Sequence, residues 1–139
     1  SGAYSFSIDG NLYRNQINAF AVENLYPQPN IFSAGEQIAL SGNLKLNNVF
    51  HFSKGWDAQL TAVYLAPDII PQGKILSRFS IDAGLKKPVQ QGKGEIFFNA
   101  TDLLNTMVIK RQIQGAGFKY SSDDYYETQV IRLGYSYKF

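Results

Sequence analysis

From Ile131 to the final Phe139 apolar and polar side chains take strict turns: Ile131, Leu133, Tyr135, Tyr137 and Phe139 against Arg132, Gly134, Ser136 and Lys138. A strand has a side-chain period of two, so the first set shares one face and the second set the other. One face of this strand therefore needs an apolar surrounding while the opposite face needs water or polar partners. The strand also closes on an aromatic residue next to the terminal carboxylate, a combination suited to a membrane interface, where an apolar ring meets a wet boundary.

The same alternation recurs through the chain. Tyr4, Phe6, Ile8 and Leu12 oppose Ser5, Ser7, Asp9 and Asn11; Ile38, Leu40, Leu44 and Leu46 oppose Ser41, Asn43 and Lys45; Trp56, Ala58, Leu60 and Tyr64 oppose Asp57, Gln59 and Thr61. Phe79, Ile81 and Leu85 oppose Arg78, Asp82 and Lys86, and Ile96 and Phe98 oppose Phe97 and Asn99. These runs predict strands at about 3–16, 37–52, 56–65, 77–87, 94–106 and 125–139. Ten or more residues per strand exceeds the roughly five or six of soluble sheets and matches the roughly nine to eleven of a transmembrane β-strand. Composition agrees: charged residues make up 17% of the chain, and the shortfall is filled by Asn, Gln, Ser and Thr.

Connections alternate in length. Residues 23–36 and 66–74 are rich in proline and read as long loops, and 107–120 as an outer loop or ribbon followed by a polar turn at 121–124; Ser53-Lys54-Gly55 and Pro88 to Gly92 are tight links. Leu25, Tyr26, Ile31 and Phe32 are expected to fold back over a neighbour. Long and short connections in turn are the asymmetry of outer-membrane barrels, with tight turns on the periplasmic side. The expected fold is all-β, an antiparallel transmembrane β-barrel segment of about six long strands. Closed membrane barrels start at about eight strands, and an open sheet edge is not tolerated in hydrocarbon, so this segment belongs to a larger wall or is joined by other chains. No run is long enough for a membrane helix and no signal peptide opens the chain, so Ser1 reads as a mature, cut or internal end.

Four stretches carry a resemblance: Ser41-Gly42-Asn43-Leu44 leading to Phe52-Ser53-Lys54-Gly55-Trp56; Tyr64-Leu65-Ala66-Pro67 with Pro71-Gln72-Gly73-Lys74; Ser80-Ile81-Asp82-Ala83-Gly84-Leu85-Lys86-Lys87; and Asn99-Ala100-Thr101-Asp102-Leu103-Leu104-Asn105-Thr106 with the terminal Tyr135-Ser136-Tyr137-Lys138-Phe139. Together they resemble the carboxy-terminal part of a TonB-dependent outer-membrane receptor, of the outer-membrane β-barrel family of Bacteroidota. The resemblance implies a barrel of about 22 strands around an amino-terminal plug, of which residues 1–139 would supply the last part of the barrel domain and no plug. It implies import of a large or scarce solute such as a siderophore, cobalamin or a glycan. Expected partners are the remainder of the barrel and the plug, TonB through the absent amino-terminal part, the barrel-assembly machinery, lipid and lipopolysaccharide, and a surface lipoprotein or other envelope proteins. The implied location is the outer membrane as a multi-pass barrel, with a periplasmic carboxy terminus.

Candidate residues fall into three groups. Tyr26, Phe32, Phe118, Tyr120, Tyr125 and Tyr126 lie on outer connections where they could touch a ligand or pack within the loops. Asp9, Asp57, Arg78, Asp82 and Arg132, with Lys138, share the polar parity and are placed toward the lumen or plug, where charge avoids lipid. Tyr135, Tyr137 and Phe139 serve as interface anchors and, by the resemblance, as the terminal signal read during barrel assembly. With no cysteine and one histidine, His51, thiolate and metal chemistry are not expected, and no cofactor is indicated. No nucleophile triad, carboxylate pair or phosphate loop points to an enzyme, and the scattered lysines with a net charge of +2 do not form a nucleic-acid footprint. The competing readings are a barrel segment with a structural or interaction role in an envelope complex, and a small soluble β-domain that binds a ligand.

Overall fold

The computed structural model describes residues 3–115 and 117–139, and of Phe32 the backbone alone. Twelve strands follow in order: β1 (Tyr4–Ile17), β2 (Phe20–Asn24), β3 (Asn30–Ala34), β4 (Gln37–His51), β5 (Asp57–Leu65), β6 (Asp68–Ile70), β7 (Gly73–Ile75), β8 (Arg78–Val89), β9 (Gly94–Thr101), β10 (Ile109–Gly115), β11 (Phe118–Asp124) and β12 (Val130–Tyr137). Six of them form one antiparallel meander in the order β1-β4-β5-β8-β9-β12.

Register shows why alternation survives across this sheet. Directly paired residues share a face, so Ile8↔Leu46↔Ala62↔Ile81 and Leu60↔Ala83↔Ala100↔Ile131 make continuous apolar rows. The other face carries rows such as Asp9↔Lys45↔Val63↔Ser80 and Gln59↔Gly84↔Asn99↔Arg132. Nothing covers the apolar rows: Leu12, Leu133 and Ile131 are 76%, 77% and 67% exposed, and Ala100 is the one buried hydrophobic residue among those described. A soluble domain of this length closes a core between two layers. Here the apolar surface is a single sheet face, which water would penalise and hydrocarbon would not.

Two tight links at one end, Ser53–Gly55 and Gln90–Gly92, each finish on a glycine with positive φ, Gly55 at 79° and Gly92 at 90°. Strand β8 runs on through Pro88 to Val89, and the second link begins only at Gln90.

At the opposite end the long connections are more ordered than loops. Residues 20–34 hold the β2–β3 hairpin, whose Leu25, Tyr26 and Ile31 stand 62%, 82% and 70% exposed instead of folding over a neighbour. The segment expected to be a proline-rich loop at 66–74 contains β6 and β7, and the expected polar turn at 121–124 is the second half of β11. These strands build a second sheet, in the order β11-β10-β7-β6. Correspondingly, the fifth long strand stops at Thr101 rather than 106, and the closing strand starts at Val130 rather than 125.

Candidate functional site

On the polar face of the long sheet, side chains satisfy one another from strand to strand. Asn47 Oδ1 accepts from Gln59 Nε2 and Thr61 Oγ1, both at 2.8 Å, and Asn11 Nδ2 donates to Asn43 Oδ1 at 3.2 Å. Neutral amides of this kind hold a hydrated surface without a strong charge of either sign. Near the tight links, Asp57 is shared by His51, 2.6 Å from its Oδ1, and Lys86, 3.7 Å from its Oδ2. They border a hollow of about 400 Å³ that also reaches Glu95, Phe97 and Asn99.

Two glycines of this face do different things. Gly84 opens the floor of the hollow, where an added Cβ would come within 3.1 Å of Asn99 Oδ1. Gly134 is already roofed, because the ring of its cross-strand partner Phe97 lies over it and an added Cβ would stand 2.1 Å from Phe97 Cζ. The space over Gly134 is thus taken by an aromatic ring, whereas that over Gly84 is bordered by the Asn99 amide.

At the far end lies a residue to which the sequence reading assigned no role. Asp102 is 1% exposed and ends the β9 ladder with φ of 47°, a left-handed conformation that Asp and Asn adopt more readily than most residues. Its carboxylate accepts from the Thr106 N–H at 3.0 Å, the Met107 N–H at 3.2 Å and Thr128 Oγ1 at 2.6 Å. Its own N–H donates to Asp82 Oδ1 at 2.8 Å. Asn105, also left-handed at 53°, completes the turn by donating its N–H to the Asp102 carbonyl and accepting from the Tyr125 hydroxyl. Burial alone would raise the Asp102 pKa, but the hydrogen bonds from Thr128, the two N–H groups and the Thr106 hydroxyl outweigh it and hold the carboxyl below the ordinary Asp value.

Asp68 plays the matching part for the second sheet. Its carboxylate accepts from Tyr13 Oη at 3.0 Å, Asn15 Nδ2 at 3.1 Å and the Ile69 N–H at 2.8 Å, so β6 is tied to the last turns of β1. Burial again pushes its pKa up, but the bonds from Asn15, Ile69 and Tyr13 outweigh it and hold the carboxyl below the ordinary value. Two ion pairs, Lys110 with Asp123 at 3.7 Å and Arg111 with Asp124 at 2.7 Å, lie across the β10–β11 pairing.

The aromatic residues singled out for ligand contact lie on two separate connections. Tyr26 is at the tip of the β2–β3 hairpin, Phe118 and Tyr120 are on β11, and Tyr125 and Tyr126 follow it; all are exposed, and Tyr125 is held by Asn105. The Phe32 side chain lies outside the described residues. Of the charged residues, Asp57 and Asp82 are engaged as above, Arg78 has its Nε buried without a hydrogen-bond partner among the described residues, and Arg132 borders the middle of the polar face beside Lys45 and Asp82. Asp9 pairs by backbone with Lys45 on the same face. Tyr135 donates to Gln90 Oε1 at 2.7 Å, and Tyr137 meets Phe139 edge to face at 5.4 Å. No group of three or more His, Asp or Glu side chains placed to hold a metal occurs among the described residues, and the sequence contains no cysteine.

The profile of the outer membrane protein beta-barrel family matches residues 3–137. The chain belongs to the outer membrane protein β-barrel family. Comparisons with curated proteins and with solved structures gave no match. Family membership accounts for the exposed rows of Leu, Ile and Phe, since barrel walls in the outer membrane turn these residues to lipid.

Proposed function

We propose that this chain forms wall and outer surface of a TonB-dependent outer-membrane transporter that imports a large or scarce solute, such as a siderophore, cobalamin or a glycan. The observation that carries the reading is the six-stranded meander with two unpaired edges, β1 and β12. Six strands are too few to close a membrane barrel, and lipid does not tolerate open edges, so the sheet is one sector of a wider wall. A wide barrel has a lumen large enough for a plug and for solutes beyond the reach of narrow pores. In this reading the tight links face the periplasm, as does the carboxy terminus, and the second sheet with the β2–β3 hairpin stands outside the cell. Asp9, Asp57, Arg78, Asp82 and Arg132 line the lumen toward a plug, while Tyr26, Phe118, Tyr120 and Tyr126 are offered to solute at the surface. Tyr135, Tyr137 and Phe139 form the terminal signal for barrel assembly. The resemblance to receptors of Bacteroidota supports both transport and source.

Uptake by cells carrying the intact protein tests this. Accumulation of one solute class that disappears when the proton motive force is collapsed, and when residues 109–124 are deleted from a barrel that still assembles, is the expected result. Assembly without energised uptake of any of these solutes would favour a structural role in an envelope complex instead.

A further inference from the structure

Across the six long strands, only two residues of the apolar face are charged, Arg14 near the long-connection end and Lys87 near the tight links. Lys87 pairs with Ile96, and Asp57 with Lys86, so the next step along the β5–β8 ladder sets Trp56 beside Lys87. The Lys87 ammonium sits over the Trp56 ring, 4.8 Å from its centroid. The ring contributes a negative π-face but no charge. Among the described residues no carboxylate pairs with Lys87, in contrast to Lys86 next to it, which turns to the other face and meets Asp57. The first tight link also comes close to the residue after Lys87, a Cβ added at Gly55 standing 3.4 Å from the Pro88 ring. Phe52 flanks the same link and Tyr135 pairs with Ile96, so this rim of the apolar face is an aromatic belt holding an unneutralised cation.

We propose that Lys87 and Trp56 form a binding site for the phosphate of an anionic glycerophospholipid in the adjacent leaflet. The proposal rests on the membrane-barrel reading. A cation on a lipid-facing parity needs an anion or water to offset its desolvation. Here the protein supplies only an aromatic face, which fixes the ammonium at headgroup depth and leaves its N–H donors free for phosphate oxygens. Acyl chains from the same lipid would lie down the Leu85, Leu60 and Phe98 rows of that face.

The test is native mass spectrometry of the intact barrel protein, delipidated in detergent and offered equal amounts of dioleoyl phosphatidylglycerol and dioleoyl phosphatidylcholine. Wild type should retain the anionic lipid preferentially, Lys87→Gln should lower that retention about fivefold, and Lys87→Arg should restore most of it. Lys45→Gln, on the polar face, should leave it unchanged. Heat-modifiable electrophoretic migration checks that each variant keeps its barrel. Equal retention by a folded Lys87→Gln barrel overturns the site alone. A wild-type protein that is folded and monomeric in plain buffer removes the membrane reading and the site with it.

Discussion

Thr128 Oγ1 donates to Asp102 Oδ2 at 2.6 Å, joining the residue that ends β9 to the segment that leads into the closing strand β12. Between these two residues the chain travels out through β10 and β11 and returns, so this bond clasps the base of the longest excursion. Asp102 gathers donors from both sides of that base, so that it joins the long sheet to the excursion that carries β10 and β11, as Asp68 joins β6 to β1.

Replacing Asp102 with Ala leaves Thr128 Oγ1 and the Thr106 and Met107 N–H groups without their acceptor. Hydrogen bonds to a charged group are worth about 1.5–3 kcal/mol each, and with partial rehydration the local loss should be about 3 kcal/mol. Hydrogen–deuterium exchange in the assembled protein should show residues 103–108 and 126–129 losing protection together while the β4–β5 pairing keeps its own. Asp102→Asn, which can still accept, should lose less.

The same clasp has a pH dependence of known sign. Because the folded pKa of Asp102 lies below the ordinary value of 3.8, its contribution is fully present above that value and is lost as pH falls through the folded pKa. Exchange protection of Thr106 and Met107, corrected for intrinsic rates, should be flat from neutral pH to about pH 5 and drop below about pH 3.8. In Asp102→Asn the drop should be absent.

Asp68 anchors the second sheet to β1 through Tyr13 and Asn15. Asp68→Ala should release β6 and β7, at a cost of about 2–3 kcal/mol in that sheet, and raise protease cleavage within 66–77 severalfold. The six long strands should remain intact, which heat-modifiable migration would report.

At Gly134 the Phe97 ring occupies the place of a side chain. Gly134→Val should drive the ring off β12 and lower the yield of assembled protein markedly, whereas Gly134→Val combined with Phe97→Ala should recover part of it. Equal yields for the single and double variants would show that the ring and the glycine are not coupled.

How far the sequence reveals this molecule depends on what enforces each segment. The six long strands are visible because each has one face against an apolar medium and the other against a wet one, so a period of two is imposed on residues such as Ile131 to Tyr137. Strands β6, β7, β10 and β11 escape that rule: they are short and pair mainly with one another, and Pro71, Gly73 and the Ser121-Ser122-Asp123-Asp124 run look like turns when read alone. Asp102 is hidden for another reason. A buried carboxylate that caps loop N–H groups has no periodicity, and its donors at Thr106, Met107 and Thr128 converge only when β9 and β12 are side by side. The local hint was the Asp102 to Asn105 turn, whose two ends are the residue types that tolerate a left-handed backbone.

The central claim is that one face of this sheet meets lipid and the other meets water. The chain has no cysteine, so single cysteines at Gln59, Leu60, Thr61 and Ala62, and at Ile131, Arg132 and Leu133, can carry spin labels in the intact protein in bilayers. Collision with oxygen, which concentrates in lipid, and with a water-soluble nickel chelate should alternate residue by residue: oxygen dominates at Leu60, Ala62, Ile131 and Leu133, and nickel at Gln59, Thr61 and Arg132. Equal nickel accessibility on both parities would contradict the account.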